Sequence, residues 1–289
     1  MTAYESEHQD AYWDLKHFVV HTPEAPLDRY IHSMIHYSGF MPDHSIERVV
    51  PDGGIYLIFE LDGYTRHLFD VKTHKPTHDF TKAWVSGMQK KYIAISTHEN
   101  SEMFVVQFHP GGANPFMQDP VSSLNNKVVP AEAVFGDGVF ALHESLRSAN
   151  SDAAMFERVT EFLMEHAQFD DGPARTLVEE MVDAIKVNAG AHLKDIVEAS
   201  GYSQKQAIHH FKNQVGLNPK AFQRIVRFGE ILAAIKEKKT VSWSKIAADC
   251  AYYDQSHFIR EFKEFCGYSP KEFLMEQEDY PEVNFFPLE

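Results

Sequence analysis

One segment of this 289-residue chain occurs twice near the C-terminus. Tyr202-Ser-Gln-Lys-Gln-Ala-Ile-His-His-Phe-Lys212 recurs, 51 residues later, as Tyr253-Asp-Gln-Ser-His-Phe-Ile-Arg-Glu-Phe-Lys263. Both copies continue to a glycine (Gly216, Gly267), a Pro-Lys pair (Pro219-Lys220, Pro270-Lys271) and a phenylalanine (Phe222, Phe273). Between 194–222 and 245–273, ten of 29 aligned positions are identical. Two copies of one small helical unit at fixed spacing suit a long, periodic partner, and double-stranded DNA is the obvious one.

Each copy predicts two helices and a sharp turn. In the first, Leu193, Ile196 and Val197 give one helix an apolar face, and Gly201 is free to take positive φ in the turn. Ser203 caps the next helix, which buries Ala207 and Phe211 and stops near Gly216. In the second copy Ile246 and Ala247 supply the first helix, Asp254 the cap, and Phe258 and Phe262 the buried pair. This is helix-turn-helix patterning, in which the second helix enters the major groove by its N-terminal part.

The faces opposite the buried pairs are then the candidate DNA contacts. The first carries Gln204, Lys205, Ile208, His209 and Lys212; the second carries Gln255, Ser256, Ile259, Arg260 and Lys263. Arginine pairs bidentately with guanine, and glutamine reads adenine or holds phosphate. The two isoleucines suit thymine methyl groups or a half-buried place. Lys212 and Lys263 are placed for phosphates. Between the units, 220–236 reads as one helix, and about 18 residues span roughly 27 Å. That rod holds two reading helices near one DNA turn apart, about 34 Å.

Charge supports the division. The chain has a net charge of -15, but residues 1–174 carry 12 basic and 25 acidic side chains, 175–276 carry 15 and 13, and 277–289 add four acids. No acid occurs in 199–229, against Lys205, Lys212, Lys220, Arg224 and Arg227. DNA affinity follows local phosphate neutralisation rather than the total.

On these residues, 181–276 resembles the DNA-binding domain of the AraC/XylS family of bacterial transcription regulators. Asp254-Gln-Ser-His-Phe-Ile-Arg-Glu-Phe-Lys263 and Gly267-Tyr-Ser-Pro270 follow the family pattern closely. The resemblance implies two helix-turn-helix units joined by a helix, with base and phosphate contacts at Lys205, Ile208, His209, Ser256, Ile259 and Arg260. The first unit departs from the pattern, with His209 where arginine is common and Ala207 where leucine is common. Gly229 inside the joining helix costs about 1 kcal/mol against alanine and marks a hinge or a close-packing point.

The N-terminal half reads differently. Gly54-Ile-Tyr-Leu-Ile-Phe-Glu-Leu61, Tyr92–Ser96 and Met103–Phe108 are β-rich runs between turn signals, which suggests a barrel or sandwich. A loop-rich stretch, 110–135, follows. Val50-Pro-Asp-Gly-Gly-Ile-Tyr-Leu-Ile-Phe59, Gln107-Phe-His-Pro-Gly-Gly-Ala113 and Phe135-Gly136 look like the sensor domain of one AraC-like subgroup, implying a domain that binds an effector or mediates self-association. From 139 the apolar spacing becomes helical, with Phe140, Leu142, Leu146, Phe156, Val159, Phe162 and Leu163, and again with Leu177, Met181 and Ile185 beyond the break at Asp170–Pro173.

The expected fold is therefore α+β. It comprises a β-barrel or sandwich sensor domain (1–136), a helical linker or dimerisation region (137–174), an all-α double helix-turn-helix domain (175–276) and an acidic, poorly packed tail (277–289). The expected function is sequence-specific transcription regulation through two adjacent major grooves. The alternative is a ligand-binding or enzymatic N-terminal domain with an accessory DNA-binding module.

Promoter DNA is the main expected partner, with a small-molecule effector, a second copy of the chain and RNA polymerase as further ones. Eleven of the 17 histidines lie in 1–110. His74 and His78 have i, i+4 spacing, but Pro76 between them opposes a helical metal site. No metal or cofactor is expected, and no hydrolase, metalloprotease, phosphate-loop or dinucleotide motif occurs. Trp13, Tyr56, Phe59, Trp84, Phe104 and Phe108 are pocket candidates with the core as the plainer home. No long apolar run or leader-like start occurs, and Cys250 and Cys266 lack paired spacing, so a cytoplasmic protein with reduced thiols is expected.

Overall fold

The computed structural model describes residues 16–236, 243, 246, 252, 254–279 and 285–288. Turn-forming residues cut the N-terminal half into short strands. They are β1 (His17–His21), β2 (Ile31–Phe40), β3 (Ile46–Val49), β4 (Ile55–Glu60), β5 (Arg66–Phe69), β6 (Pro76–Phe80), β7 (Ala83–Ser86), β8 (Ile93–Ser96), β9 (Ser101–Phe108) and β10 (Val128–Pro130). An eleventh, β11 (Phe285–Pro287), comes from the far end of the chain. They form two antiparallel sheets, β1-β2-β9-β4-β7-β10 and β11-β3-β8-β5-β6.

The unbroken apolar run of β4 has a physical cause. Side chains alternate between the faces of a strand, so a strand covered on both sides needs apolar residues throughout. Leu57 and Phe59 join Phe104, Val106 and Phe108 of β9 in the main core, under the helices. Ile58 faces the other way, with Phe80, Trp84, Ile95 and Val128, into the space between the sheets.

Nine α-helices follow among the described residues: α1 (Glu132–Phe135), α2 (Gly138–Arg147), α3 (Asp152–His166), α4 (Pro173–Val187), α5 (Lys194–Ala199), α6 (Gln204–Val215), α7 (Pro219–Lys236), α8 (Gln255–Cys266) and α9 (Pro270–Asp279). Ser151 caps α3, and Pro173 opens α4, where its missing N–H costs nothing. α2 and α3 lie on the outer face of the six-stranded sheet. The rings of Phe156 and Phe104 are 5.4 Å apart, and His143 Nε2 donates to the carbonyl of Glu60 at 2.7 Å. A single apolar core then runs from that sheet through α3 and α4 into α6, α7 and α8.

Two expectations are corrected. The tail is not loosely packed throughout: α9 runs to Asp279, β11 pairs with β3, and Leu288 is buried. Phe285 and Phe286 are good strand formers, and β3 would otherwise present an open edge. Gly229 is not a close-packing point, because a Cβ placed there meets nothing within 4 Å.

Candidate nucleic-acid interface and its docking

Local chemistry fixes both reading helices at both ends. At the start of α6, Ser203 accepts from the Gln206 backbone while the Gln206 side chain accepts from the Ser203 backbone, a complete capping box. At the start of α8, Asp254 accepts from His257 N–H at 2.7 Å. Each helix stops at a left-handed glycine, Gly216 with φ 101° and Gly267 with φ 81°. Gly201 takes φ 75° in the preceding turn, as the sequence predicts.

Burial separates the two faces of each helix. Ala207, Phe211, Phe258 and Phe262 are fully buried. Gln204, Lys205, Ile208, His209 and Lys212 are all exposed, and so are Gln255, Ser256, Ile259, Arg260 and Lys263. Ile208 is 41% and Ile259 38% exposed, so neither belongs to the core. No described residue pairs with the Arg260 guanidinium. Of the second unit's first helix, Ile246 is described and buried; Ala247 and Tyr253 lie outside the described residues.

The joining helix α7 has the 18 residues its sequence suggests, with Phe222, Ile225, Phe228, Ile231 and Leu232 buried. Arg224 on α7 reaches α8, donating to Glu261 at 2.7 Å and Glu264 at 2.9 Å. Tyr252 also donates to Glu261, at 2.8 Å. The two Arg224 bonds hold α8 against α7 in addition to the apolar seam.

Both units dock on the sheet domain, and both do so at the turn that ends the reading helix. A Cβ at Gly216 would stand 3.4 Å from Val121 Cγ1 and 3.9 Å from Met88 Cβ. One at Gly267 would stand 2.8 Å from Tyr92 Cε1 and 3.0 Å from Arg48 Nη1. Met88 and Tyr92 belong to the same loop, between β7 and β8. Tyr92 N–H also donates to the Phe265 carbonyl at 2.9 Å, and the Arg48 guanidinium lies 3.8 Å over the Tyr268 ring.

Two glycines of the N-terminal motifs, Gly53 and Gly111, also face the helices, whereas Gly136 meets nothing within 4 Å. Gly53 (φ 85°) faces Phe222 and Ile225 of α7, and Gly111 (φ 83°) faces Arg175, Gln214 and Val215. Arg175, almost wholly buried, donates to the Gly111 carbonyl at 2.6 Å and to Glu179 at 2.8 Å. A polar relay also crosses: Ser122 donates to Asn213 at 3.4 Å, and Asn213 Nδ2 lies 3.0 Å from His209 Nε2 on the reading face. Sequence reasoning missed Arg175, Asn213, Arg48 and Tyr92. Their roles depend on partners far away in the chain, which no local spacing encodes.

A cavity of about 390 Å³ lies between the two sheets. Its walls are largely apolar, with Ile35, Ile58 and Val105 on one side and Val49, Ile93 and Ile95 on the other. Of the aromatic candidates, Tyr56 and Trp84 line it; Phe59, Phe104 and Phe108 are in the helix-covered core; Trp13 lies outside the described residues. Arg66, fully buried, also lines it, donating to Glu60 at 2.7 Å and Asp62 at 2.6 Å. Its Nη1 has no partner among the described residues. Residues 50–52 and 54 line this cavity while Gly53 between them touches α7, so one loop meets both the cavity and the helix that joins the two units.

The sequence matches two family models: "Domain of unknown function (DUF6597)" over 19–130 and "Helix-turn-helix domain" over 196–276. No curated protein matches it. Among solved structures it is similar to an apo variant of ToxT from Vibrio cholerae, at TM-score 0.42 and 10% identity over 89% of this chain and 97% of that one. It is also similar to unsaturated fatty acid-bound ToxT from the same organism, at TM-score 0.43 and 11% identity over 89% and 95%. The match shows a helix-turn-helix domain over 196–276, in which two capped helices bury and expose equivalent residues. A β-rich domain precedes this helix-turn-helix domain in the chain.

Proposed function

We propose that the chain reads two successive major grooves of a promoter with the exposed faces of α6 and α8. Gln204, Lys205, Ile208, His209 and Lys212 form one contact set, and Gln255, Ser256, Ile259, Arg260 and Lys263 the other. The observation that carries this is the equivalence of the two faces: five exposed positions in each copy recur at the same offsets from a fully buried pair. Arg260 reads guanine, Ile208 and Ile259 meet thymine methyls, and the lysines neutralise phosphates. The first copy, with His209, anchors; the second, with Arg260, carries more of the sequence preference.

The N-terminal domain (1–136) modulates that binding, and the segment 137–174 carries the coupling or a contact with a second copy. The cavity suits a small, mostly apolar effector. Occupancy would act through the 50–54 loop on α7. RNA polymerase is the natural further partner of a promoter-bound regulator, and the cytoplasm its natural place. Among the described residues no helix is long and apolar enough to cross a membrane.

Selection of bound DNA from a random pool, with and without small molecules from a cell extract, tests both parts. A single enriched motif with two half-elements about one turn apart is expected. Absence of any enriched sequence would overturn the DNA assignment. A Val105→Trp variant that fills the cavity should keep effector-free binding and lose the effector's influence.

A further inference from the structure

Three side chains far apart in the sequence converge at the edge of the six-stranded sheet. His17 on β1 and His36 on β2 are diagonal neighbours, since His36 pairs with Val19 and His17 with Ser38. Their rings are 5.0 Å apart. Asp152, the first residue of α3, sits over both: Oδ1 lies 2.5 Å from His36 Nδ1 and 2.9 Å from His17 Nε2. The three potential ligand atoms all fall within 4.8 Å of one another.

The surroundings have the features of a metal-binding site rather than of an ordinary ion pair. The far nitrogen of His36, Nε2, lies 3.2 Å from Glu102 Oε1, so a carboxylate supports the ring from behind while Nδ1 faces Asp152. Such a carboxylate behind a histidine is the usual outer support of a metal ligand. His36 is only 6% exposed, so its orientation is held by packing. Among the described residues no lysine or arginine pairs with Asp152 or Glu102, which leaves two carboxylates facing two imidazoles. A divalent cation would balance them. In a tetrahedral site with bonds of about 2.0–2.1 Å, ligand atoms stand roughly 3.3 Å apart, so each histidine nitrogen needs to move from Asp152 Oδ1 by less than about an ångström.

We propose that His17, His36 and Asp152 form a binding site for a divalent transition metal ion, with Glu102 as the outer support of His36. Two imidazoles and one carboxylate suit Zn²⁺, with water completing the shell. The ion would join β1 and β2 to the start of α3, the segment between the sheet domain and the DNA-binding helices. This site is separate from the cavity and from the reading faces.

The test uses the full chain stripped with a chelator and titrated with Zn²⁺ in competition with a coloured chelator. One tight site per chain is expected, with a rise in thermal midpoint on loading. His17→Gln and His36→Gln should each remove that site, and Glu102→Gln should weaken it by about 10–100-fold. Equal stoichiometry and affinity in the wild type and the doubly substituted His17→Gln, His36→Gln chain would overturn the proposal, because the ions would then sit on other histidines. Should the variants fail to fold, Co²⁺ bound to the wild type decides. Intense visible bands of a four- or five-coordinate histidine site support it; the pale spectrum of an octahedral ion overturns it.

Discussion

Gly216 and Gly267 occupy the same place in the two repeats, both left-handed, and both rest on the loop between β7 and β8. In each repeat the second helix therefore meets the sheet domain at its C-terminal turn. One short loop takes part in both dockings, with Tyr92 against one turn and Met88, beside Val121, near the other.

Glycine substitutions test that geometry with opposite signs. Gly267→Ala adds a Cβ 2.8 Å from Tyr92 Cε1 at a φ of 81°. It should destabilise the chain by more than about 1 kcal/mol. Gly229→Ala adds a Cβ to open space within α7 and should stabilise by about 0.5–1 kcal/mol. Denaturant melts of both variants give the comparison, and equal shifts would refute the docking role of Gly267.

Arg260 and Lys205 should fail in different ways. Arg260→Ala should weaken specific binding by about 1–3 kcal/mol and relax one base preference. Lys205→Ala should weaken all sequences alike and lower the salt slope by about 1. Gel-shift titrations at several salt concentrations separate the two, and an unchanged specific affinity in Arg260→Ala would remove it from the reading face.

Asn213 links the sheet domain to His209 and is not itself one of the proposed DNA contacts. Asn213→Ala should leave α6 folded, since its caps are intact, yet shift the base preference of the first half-element. A repeat of the DNA selection with this variant checks it; an identical motif would make the Ser122–Asn213–His209 relay structural only.

Cys266 reports docking. Burial pushes its thiol up to about 12, so it should not react with a thiol reagent at pH 8 in the folded chain. In a Cys250→Ser background, Arg48→Ala should speed its labelling, because Arg48 covers the same turn from Tyr268 and the Cys266 carbonyl. Equal rates would mean that the α8 turn is buried without the sheet domain.

Glu60 sets a pH dependence. Burial pushes its carboxyl up to about 7 from 4.5, against the pull of Arg66 and the Trp84 indole. Between those values the folded chain holds a proton that the unfolded chain has lost. The contribution to stability is thus full below 4.5 and disappears as pH rises to 7. Glu60→Gln should flatten that part of the profile in urea midpoints taken from pH 5 to 7; an unchanged slope would show that Glu60 stays ionised.

The DNA-binding half was legible because its information is local. Ser203, Asp254, Gly201, Gly216 and Gly267 act on their own backbone, and Ala207, Phe211, Phe258 and Phe262 declare a buried stripe by spacing alone. The β-rich runs were legible too, since β4 and β9 alternate between two covered faces. The tail was misjudged because β11 gains its order from an edge strand more than 200 residues earlier.

The sequence by itself thus determined the two capped reading helices, the helix that joins them and the sheet character of the first half, through propensity, capping and periodicity. Only the tertiary structure decided what those parts touch. It put Gly53 between cavity and α7, set both repeat turns on one loop, and brought Asp152 between His17 and His36. Such contacts depend on strand register and helix packing across the chain, and they leave no spacing for a sequence to show.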